Sequence, residues 1–154
     1  MLKNDKGHIV GIASMASWVA PPGIVNYAAT KAGVLALHEG LNQELKHVYK
    51  KRGVLNTVVH PHWVRTPLVG GYEAQLEKTQ GKLLKPENIA RKVVEQITLC
   101  RGGQLFMPGH MSTASRLRGE ANWLQELIRD FAVGGDNLTV NTVGVHVMGK
   151  TKVH

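Results

Sequence analysis

Residues 7–31 read G-H-I-V-G-I-A-S-M-A-S-W-V-A-P-P-G-I-V-N-Y-A-A-T-K, and this stretch decides the fold. Its first part, Gly7 to Ala13, is a short apolar and largely β-branched run, which predicts a strand buried on both faces, as in a parallel sheet. A Pro/Gly turn separates this run from a helical pattern. Ser14 therefore lies at the carboxyl end of the predicted strand, where open α/β sheets bind their ligands.

Tyr27 and Lys31 stand four residues apart at the start of the helical pattern. Side chains at this spacing share one face of a helix, so both should point into the same space. An ammonium group one turn away favours the phenolate form of a tyrosine, and a phenol so placed is suited to general acid/base catalysis. Tyr27 and Lys31 are therefore candidate catalytic residues.

The rest of the chain continues an alternation of helices and strands. Apolar periodicity and turn residues predict helices over 26–50 and from Pro86 onward, and short strands over 54–60 and 104–107. Strands that alternate with helices predict parallel pairing with right-handed crossovers. We therefore expect an α/β fold.

Two of the predicted helices have apolar faces that suggest partners. The helix over 26–50 has one face with Val34, Leu37, Leu41, Leu45 and Val48 and a second face of small residues, which suggests a homo-oligomer formed through this helix. A further helix is predicted over 112–133. It could cap the domain or rest on a membrane surface, and we favour packing because acidic and basic residues are mixed in its polar face.

Two segments carry no clear helical or strand period. The Gly-rich stretch 69–81 is predicted to be a long loop that acts as a lid. Residues 134–154 form a β-prone or disordered tail, so we divide the chain into a domain over 1–133 and this tail. Four residues suggest an apolar pocket wall: Trp63, Leu68, Val69 and Leu84.

Composition narrows the class of protein. The chain has 154 residues, 43% of them hydrophobic, which predicts one globular domain. Its net charge of +8 is scattered, and its one tight basic run, Lys50 to Arg52, falls at a predicted helix end, so we expect no nucleic-acid partner. The single cysteine, Cys100, excludes an internal disulfide. With neither a signal peptide nor a membrane-spanning run expected, we predict a cytoplasmic protein, with a peripheral membrane-surface position left open.

Three segments together resemble the second half of a short-chain dehydrogenase/reductase. They are residues 7–17, residues 26–45 (N-Y-A-A-T-K-A-G-V-L-A-L-H-E-G-L-N-Q-E-L) and residues 53–66 (G-V-L-N-T-V-V-H-P-H-W-V-R-T). The nearest group acts on retinoids, steroids and other lipid alcohols, and the resemblance extends to about residue 110. It implies part of a Rossmann-like doubly wound sheet, with NAD or NADP as cofactor and a hydrophobic alcohol or ketone as substrate.

The resemblance also implies a role for each matching residue. Ser14 would hydrogen-bond the substrate oxygen, and Tyr27 would be the general acid/base. Lys31 would bind the hydroxyls of the nicotinamide ribose and favour the phenolate of Tyr27. The backbone of Val64 and the hydroxyl of Thr66 would hold the carboxamide of the nicotinamide.

Two neighbouring residues leave alternatives. Ser17 competes with Ser14 for the serine role, and we favour Ser14 because it matches the family spacing. His62 departs from the family, which usually has glycine after that proline, so its side chain could crowd the nicotinamide pocket. His60 and His62 also suggest a metal, but no set of three or four converging ligands accompanies them, and we expect none.

The family's glycine-rich turn, which binds the pyrophosphate, has no counterpart in residues 1–6. The strand Gly7 to Ala13 would then have an open edge. We therefore expect a fragment or truncated gene model of an oxidoreductase, or a chain that pairs with another. The alternative is a catalytically inactive remnant that works as an interaction module.

Overall fold

Three parallel strands form the centre of the molecule. The computed structural model describes residues 1–133. It contains β1 (Gly7–Ile12), β2 (Val54–Pro61) and β3 (Gly103–Met107), which pair in the order β1-β2-β3. The predicted partial Rossmann-like α/β architecture is thus confirmed, and the predicted tail, 134–154, lies outside the described residues.

The central strand is more deeply buried than its neighbours. Val58 and Val59 of β2 are fully buried, whereas Ile12 of β1 is 47% exposed. The long helix that follows β1 packs against both β1 and β2. The helix that precedes β3 in the chain packs against β2. The expectation that β1 is buried on both faces is therefore wrong, because β1 lies at an edge of the sheet formed by residues 1–133.

Helix α1 (Val25–Gln43) begins after the Pro/Gly turn and continues into a π-helical turn, Glu44–Val48. The side that meets the rest of the chain has mixed polarity; its buried residues are Ala28, Leu35, His38 and Leu45. Leu37 and Val48 were expected on an apolar buried face, but they are 68% and 69% exposed. Leu37 follows the buried Ala28 by nine residues, which at 3.6 residues per turn places it on the opposite side of the helix, toward solvent.

A short helix, α2 (Glu73–Gln80), lies within the segment predicted to be a loop. Its Leu76 is 1% exposed and packs with Ile24, Val69 and Leu83. The loop prediction for 69–81 is wrong because a helix with one buried residue among polar neighbours leaves little apolar period in the sequence.

The last two helices differ from one another. Helix α3 (Pro86–Thr98) starts at a proline, as predicted. The single helix predicted over 112–133 is wrong, because the chain forms 3-10 turns over Gly109–Gly119 and then α4 (Asn122–Val133). In the first part, the Ser115 hydroxyl donates to the Ser112 carbonyl, a local bond that competes with helical pairing. None of the helices within 1–133 is long and apolar enough to span a membrane.

Candidate active site

The carboxyl ends of β1 and β2 open into a cavity of about 1120 Å³. The five residues predicted for the site all line it: Ser14, Tyr27, Lys31, Val64 and Thr66. Such a position is expected, because ligands of open α/β sheets bind beyond the carboxyl ends of the strands. The structure therefore brings together residues from two separate stretches of the chain.

Ser14 begins the turn that follows β1. It is 9% exposed, and its Oγ accepts a hydrogen bond of 3.2 Å from the backbone N–H of Ala16. This contact caps the short 3-10 helix Met15–Ser17, whose residues are all buried. The Ser14 hydroxyl is thereby held in one place at the cavity wall.

Ser17, the competing serine, has a different environment. Its side chain is fully buried, and its Oγ donates a hydrogen bond of 3.0 Å to the backbone carbonyl of Lys31. Ser17 is absent from the cavity lining, whereas Ser14 is part of it. The Ser17 hydroxyl therefore joins the turn after β1 to helix α1.

Tyr27 and Lys31 lie on the first two turns of α1. The Lys31 Nζ is 5.5 Å from the centroid of the Tyr27 ring, and it donates a hydrogen bond of 2.9 Å to the carbonyl of Ile12. Tyr27 also packs against the buried cluster that contains Ile24 and Leu76. The cation is thus held beside the phenol and tied to the end of β1.

Val64 and Thr66 lie in the segment after β2. Val64 forms an isolated parallel bridge with Leu84, whose amide donates to the Trp63 carbonyl and whose carbonyl accepts from the Arg65 amide. In a parallel bridge the two hydrogen bonds are made by the residues before and after the bridging residue, here Trp63 and Arg65. The Val64 N–H therefore takes no part in these two bonds. The bridge holds the Val64 backbone rigidly at the cavity.

The wall of the cavity is mostly apolar. Trp63, Leu68 and Val69, predicted for this wall, line the cavity, whereas Leu84 supports it through the bridge to Val64. Sequence reasoning missed the residues from α3 and the C-terminal segment: Ile89, Val93, Met111, Leu117 and Ile128. The apolar periodicity of these helices can be read from the sequence, but no motif in the sequence indicates that these residues line the cavity.

Two histidines near the site have lowered pKa values. Burial lowers the pKa of His62, which lines the cavity, and the nearby His110 lowers it further. Burial likewise lowers the pKa of His60, which lies behind the site rather than in its lining. Within residues 1–133 no group of three or more His, Cys, Asp or Glu side chains converges as a metal site would require.

The donors at this cavity fit the nicotinamide end of a dinucleotide. The Lys31 ammonium uses one N–H on Ile12 and has two more for ribose hydroxyls. The Val64 amide and the Thr66 hydroxyl add hydrogen-bonding groups beside apolar side chains, as a ring with one amide substituent requires.

Comparison with models of protein families shows to which family this chain belongs. Residues 1–77 match the family model described as short chain dehydrogenase. The chain belongs to the short-chain dehydrogenase family. This confirms the predicted resemblance and the predicted cofactor class, a nicotinamide dinucleotide, without distinguishing NAD from NADP.

Proteins similar to this chain occur in a fungus, a bacterium and a primate. The dehydrogenase RED3 of Cochliobolus heterostrophus is 46% identical over 37% of this chain, and an uncharacterised oxidoreductase of Staphylococcus aureus is 34% identical over 64% of it. Estradiol 17-beta-dehydrogenase 11 of Pongo abelii is 29% identical over 76% of the chain. The matches span only 29%, 39% and 37% of those relatives, respectively.

A solved structure supports the fold of this chain. It is an actinorhodin polyketide ketoreductase variant with NADPH, and it is similar at a TM-score of 0.57 and 24% sequence identity. The similarity covers 69% of this chain and 47% of the ketoreductase. At this identity the comparison establishes the shared Rossmann-like architecture.

Proposed function

We propose that this chain supplies the catalytic part of an NAD- or NADP-dependent oxidoreductase that interconverts a hydrophobic alcohol and the corresponding ketone. One observation carries the proposal. Ser14, Tyr27 and Lys31 line the same cavity as Val64 and Thr66, at the carboxyl ends of two adjacent parallel strands. Family membership supplies the class of reaction, and the residues of this cavity supply the chemistry.

Tyr27 is the general acid/base of the proposed reaction. The Lys31 ammonium lies 5.5 Å from the centroid of its ring, one helical turn further along α1. In the oxidation direction the phenolate accepts the alcohol proton, and in the reduction direction the phenol returns it to the developing alkoxide. The Lys31 bond to the Ile12 carbonyl keeps the ammonium beside the phenol.

Ser14 holds the substrate oxygen. Its Oγ already accepts the Ala16 N–H, and a hydroxyl group has one hydrogen of its own to donate. That hydrogen is suited to the oxygen of a ketone or alcohol in the cavity, where it stabilises the negative charge that develops during reduction.

Lys31, Val64 and Thr66 would hold the nicotinamide end of the cofactor. Lys31 would bind the ribose hydroxyls, while the Val64 backbone and the Thr66 hydroxyl would bind the carboxamide. When bound, the nicotinamide supplies or accepts the hydride. With cofactor and substrate bound, the apolar wall around these groups would exclude water, which would strengthen the interaction of charges within the cavity.

The apolar wall also supports a hydrophobic substrate. Trp63, Leu68 and Leu117 line the cavity, and their burial against an apolar substrate would be favourable. Ser14 and Tyr27 are the groups that would meet the oxygen of the substrate, so we propose that this oxygen lies beside them and that the hydrocarbon part lies along the wall.

Cofactor binding is the direct test. NADH and NADPH would each be titrated into the full 154-residue chain while the nicotinamide fluorescence is followed. We expect the fluorescence to increase with one of them, and a Lys31→Ala variant to weaken it. A matched control is Lys92→Ala, which removes a half-buried lysine that pairs with Glu95 on α3. Absence of binding at millimolar cofactor would contradict the proposed function.

The second candidate is an inactive interaction module. Its support is the 68% exposure of Leu37 on α1, which is also the basis for proposing a homo-oligomer through this helix. Exposed Trp123 and Leu127 on α4 similarly support a membrane-surface association. The candidate would be favoured if sedimentation shows a dimer that the Leu37→Lys variant dissociates, and if the chain binds no cofactor.

A cytoplasmic location stays a prediction, supported by the lone Cys100.

A further inference from the structure

His60 lies in a buried aromatic cluster behind the candidate active site. Its side chain is fully buried near the end of β2. The imidazole stacks on Phe106 of β3, with ring centroids 4.8 Å apart and an interplanar angle of 21°, and Trp18 lies 5.7 Å away. The ring therefore has one well-defined orientation.

The same imidazole contacts the backbone of Ser14. His60 Nδ1 is 3.3 Å from the Ser14 carbonyl oxygen, which also accepts the Ser17 N–H at 3.0 Å. A carbonyl oxygen only accepts hydrogen bonds, so Nδ1 must carry the proton in this contact. The contact joins residues 46 positions apart in the chain.

The environment favours the neutral form of this imidazole. Nε2 is buried, and no described residue meets hydrogen-bond geometry with it, although the Gln104 side chain lies close enough to affect the ring. Burial lowers the pKa of His60; contact with the Ser14 backbone and the Gln104 side chain opposes this, and the charges of His38 and Glu39 on α1 act in opposite directions. A neutral ring with hydrogen on Nδ1 satisfies the Ser14 carbonyl without burying a charge.

We propose that His60 is a positioning residue, which holds the Ser14 backbone through Nδ1–H and thereby fixes the Ser14 hydroxyl at the cavity. The proposal rests on the proposed function of Ser14 as the group that holds the substrate oxygen. His60 itself is absent from the cavity lining and does not contact the reacting atoms. It acts through the backbone carbonyl of Ser14, the residue whose hydroxyl caps the following turn.

The first test needs neither a variant nor turnover. Ring ¹⁵N chemical shifts of the full chain, labelled at histidine, report the tautomer of each imidazole. We expect His60 to be neutral with hydrogen on Nδ1 across neutral pH. A resonance assigned to His60 that shows hydrogen on Nε2, or an imidazolium at neutral pH, would overturn the proposal.

The second test measures amide hydrogen exchange at Ala16, whose N–H is bound by the Ser14 hydroxyl. In His60→Phe, which keeps an aromatic ring but removes the donor, we expect Ala16 to exchange about tenfold faster, the effect of losing one buried hydrogen bond. In His60→Asn the side-chain amide nitrogen lies where Nδ1 was, so we expect protection to be largely restored. His8→Phe is the matched control, because His8 bonds Thr57 near the opposite end of β1.

If His60 only stabilised the fold and did not position Ser14, amide exchange would change in a different pattern. The Ala13 amide, which donates to Val59 across the sheet, is the internal reference for general loosening. Equal acceleration of Ala13 and Ala16 in His60→Phe, or no acceleration of Ala16, would overturn the proposal. Where turnover is measurable, we expect kcat to fall in His60→Phe, with cofactor affinity unchanged and with partial rescue in His60→Asn.

The two readouts separate this proposal from the proposed function. If the chain binds no cofactor, the proposed function fails, whereas the tautomer of His60 and the exchange of Ala16 still test the contact with Ser14. If the chain is active but Ala16 exchange is insensitive to His60, the positioning role fails and the catalytic assignment of Ser14 stands.

Discussion

The cavity has two walls that are built differently. The β1–α1 wall, residues 12–31, is held by hydrogen bonds to specific backbone atoms. Ser17 Oγ donates to the Lys31 carbonyl, and Lys31 Nζ donates to the Ile12 carbonyl. The C-terminal cover, residues 109–133, lines the cavity with Met111, Leu117 and Ile128, and its Trp123 and Leu127 lie outside the lining at 69% and 59% exposure. One wall fixes directions, and the other supplies apolar surface.

This difference suits the two tasks that the walls would perform. Proton transfer needs Tyr27 and its neighbours within hydrogen-bond reach of a reacting oxygen, so small displacements there are costly. Burial of a hydrocarbon has no preferred direction, so a cover with loosely packed apolar residues is sufficient. The walls are joined where Arg118 Nε donates to the Trp18 carbonyl at 3.4 Å.

The largest expected effect is on catalysis at the β1–α1 wall. Tyr27→Phe keeps the ring that packs against Ile24 but removes the hydroxyl, so turnover with a hydrophobic alcohol and cofactor should fall by about 10²-fold or more. Tyr49→Phe is the control, because Tyr49 is exposed just after the π-helical turn that follows α1. Turnover that survives in Tyr27→Phe would show that another group transfers the proton.

The next effect compares identical truncations near each wall. Leu76→Ala removes a side chain that is 1% exposed in the cluster beneath Tyr27, and we expect a loss of about 2–5 kcal/mol in the free energy of unfolding. Leu127→Ala in the C-terminal cover should change it by less than about 0.5 kcal/mol. Urea denaturation of both variants measures the difference, and equal losses would mean that the cover is packed as tightly as the core.

A smaller effect is expected from single hydroxyl groups. Ser17→Ala removes a buried hydrogen bond to the Lys31 carbonyl, which should cost about 1 kcal/mol of unfolding free energy. Ser115→Ala in the C-terminal cover removes a hydroxyl on an exposed turn and should cost less than about 0.5 kcal/mol. The same denaturation experiment tests both, and a larger loss for Ser115 would reverse the contrast between the walls.

The smallest effect is a dependence of stability on pH. Burial lowers the pKa of His62 below its usual value near 6.5, so the folded state resists protonation more than the unfolded state. The stabilisation is complete above about pH 6.5 and decreases as the pH falls below that value. His62→Gln should flatten the decrease, measured as urea midpoints from about pH 7.5 to about pH 5.5. His47→Gln, a change at an exposed histidine, should show the same dependence of the urea midpoint on pH as the unmodified chain. If His62→Gln also shows that same dependence, His62 is not the source of the decrease.

The order of strands and helices could be predicted from the sequence because each strand has a short apolar run that ends in a turn residue. The start of α3 at Pro86 was predictable for the same local reason. Helix α2 was missed because Leu76 is its one buried residue. The break before α4 was missed because Ser112 and Ser115 lie in a pattern that also permits a helix.

The candidate site shows the same division. The sequence by itself determined that Tyr27 and Lys31 share a helix face and that Ser14 ends a strand, because spacing within one element sets direction. Only the tertiary structure decided that Ser17 bonds to α1 while Ser14 lines the cavity, because that depends on how the turn after β1 packs. The contact of His60 with Ser14 was equally hidden, since parallel pairing of β1 with β2 brings together residues that the chain separates by a whole helix.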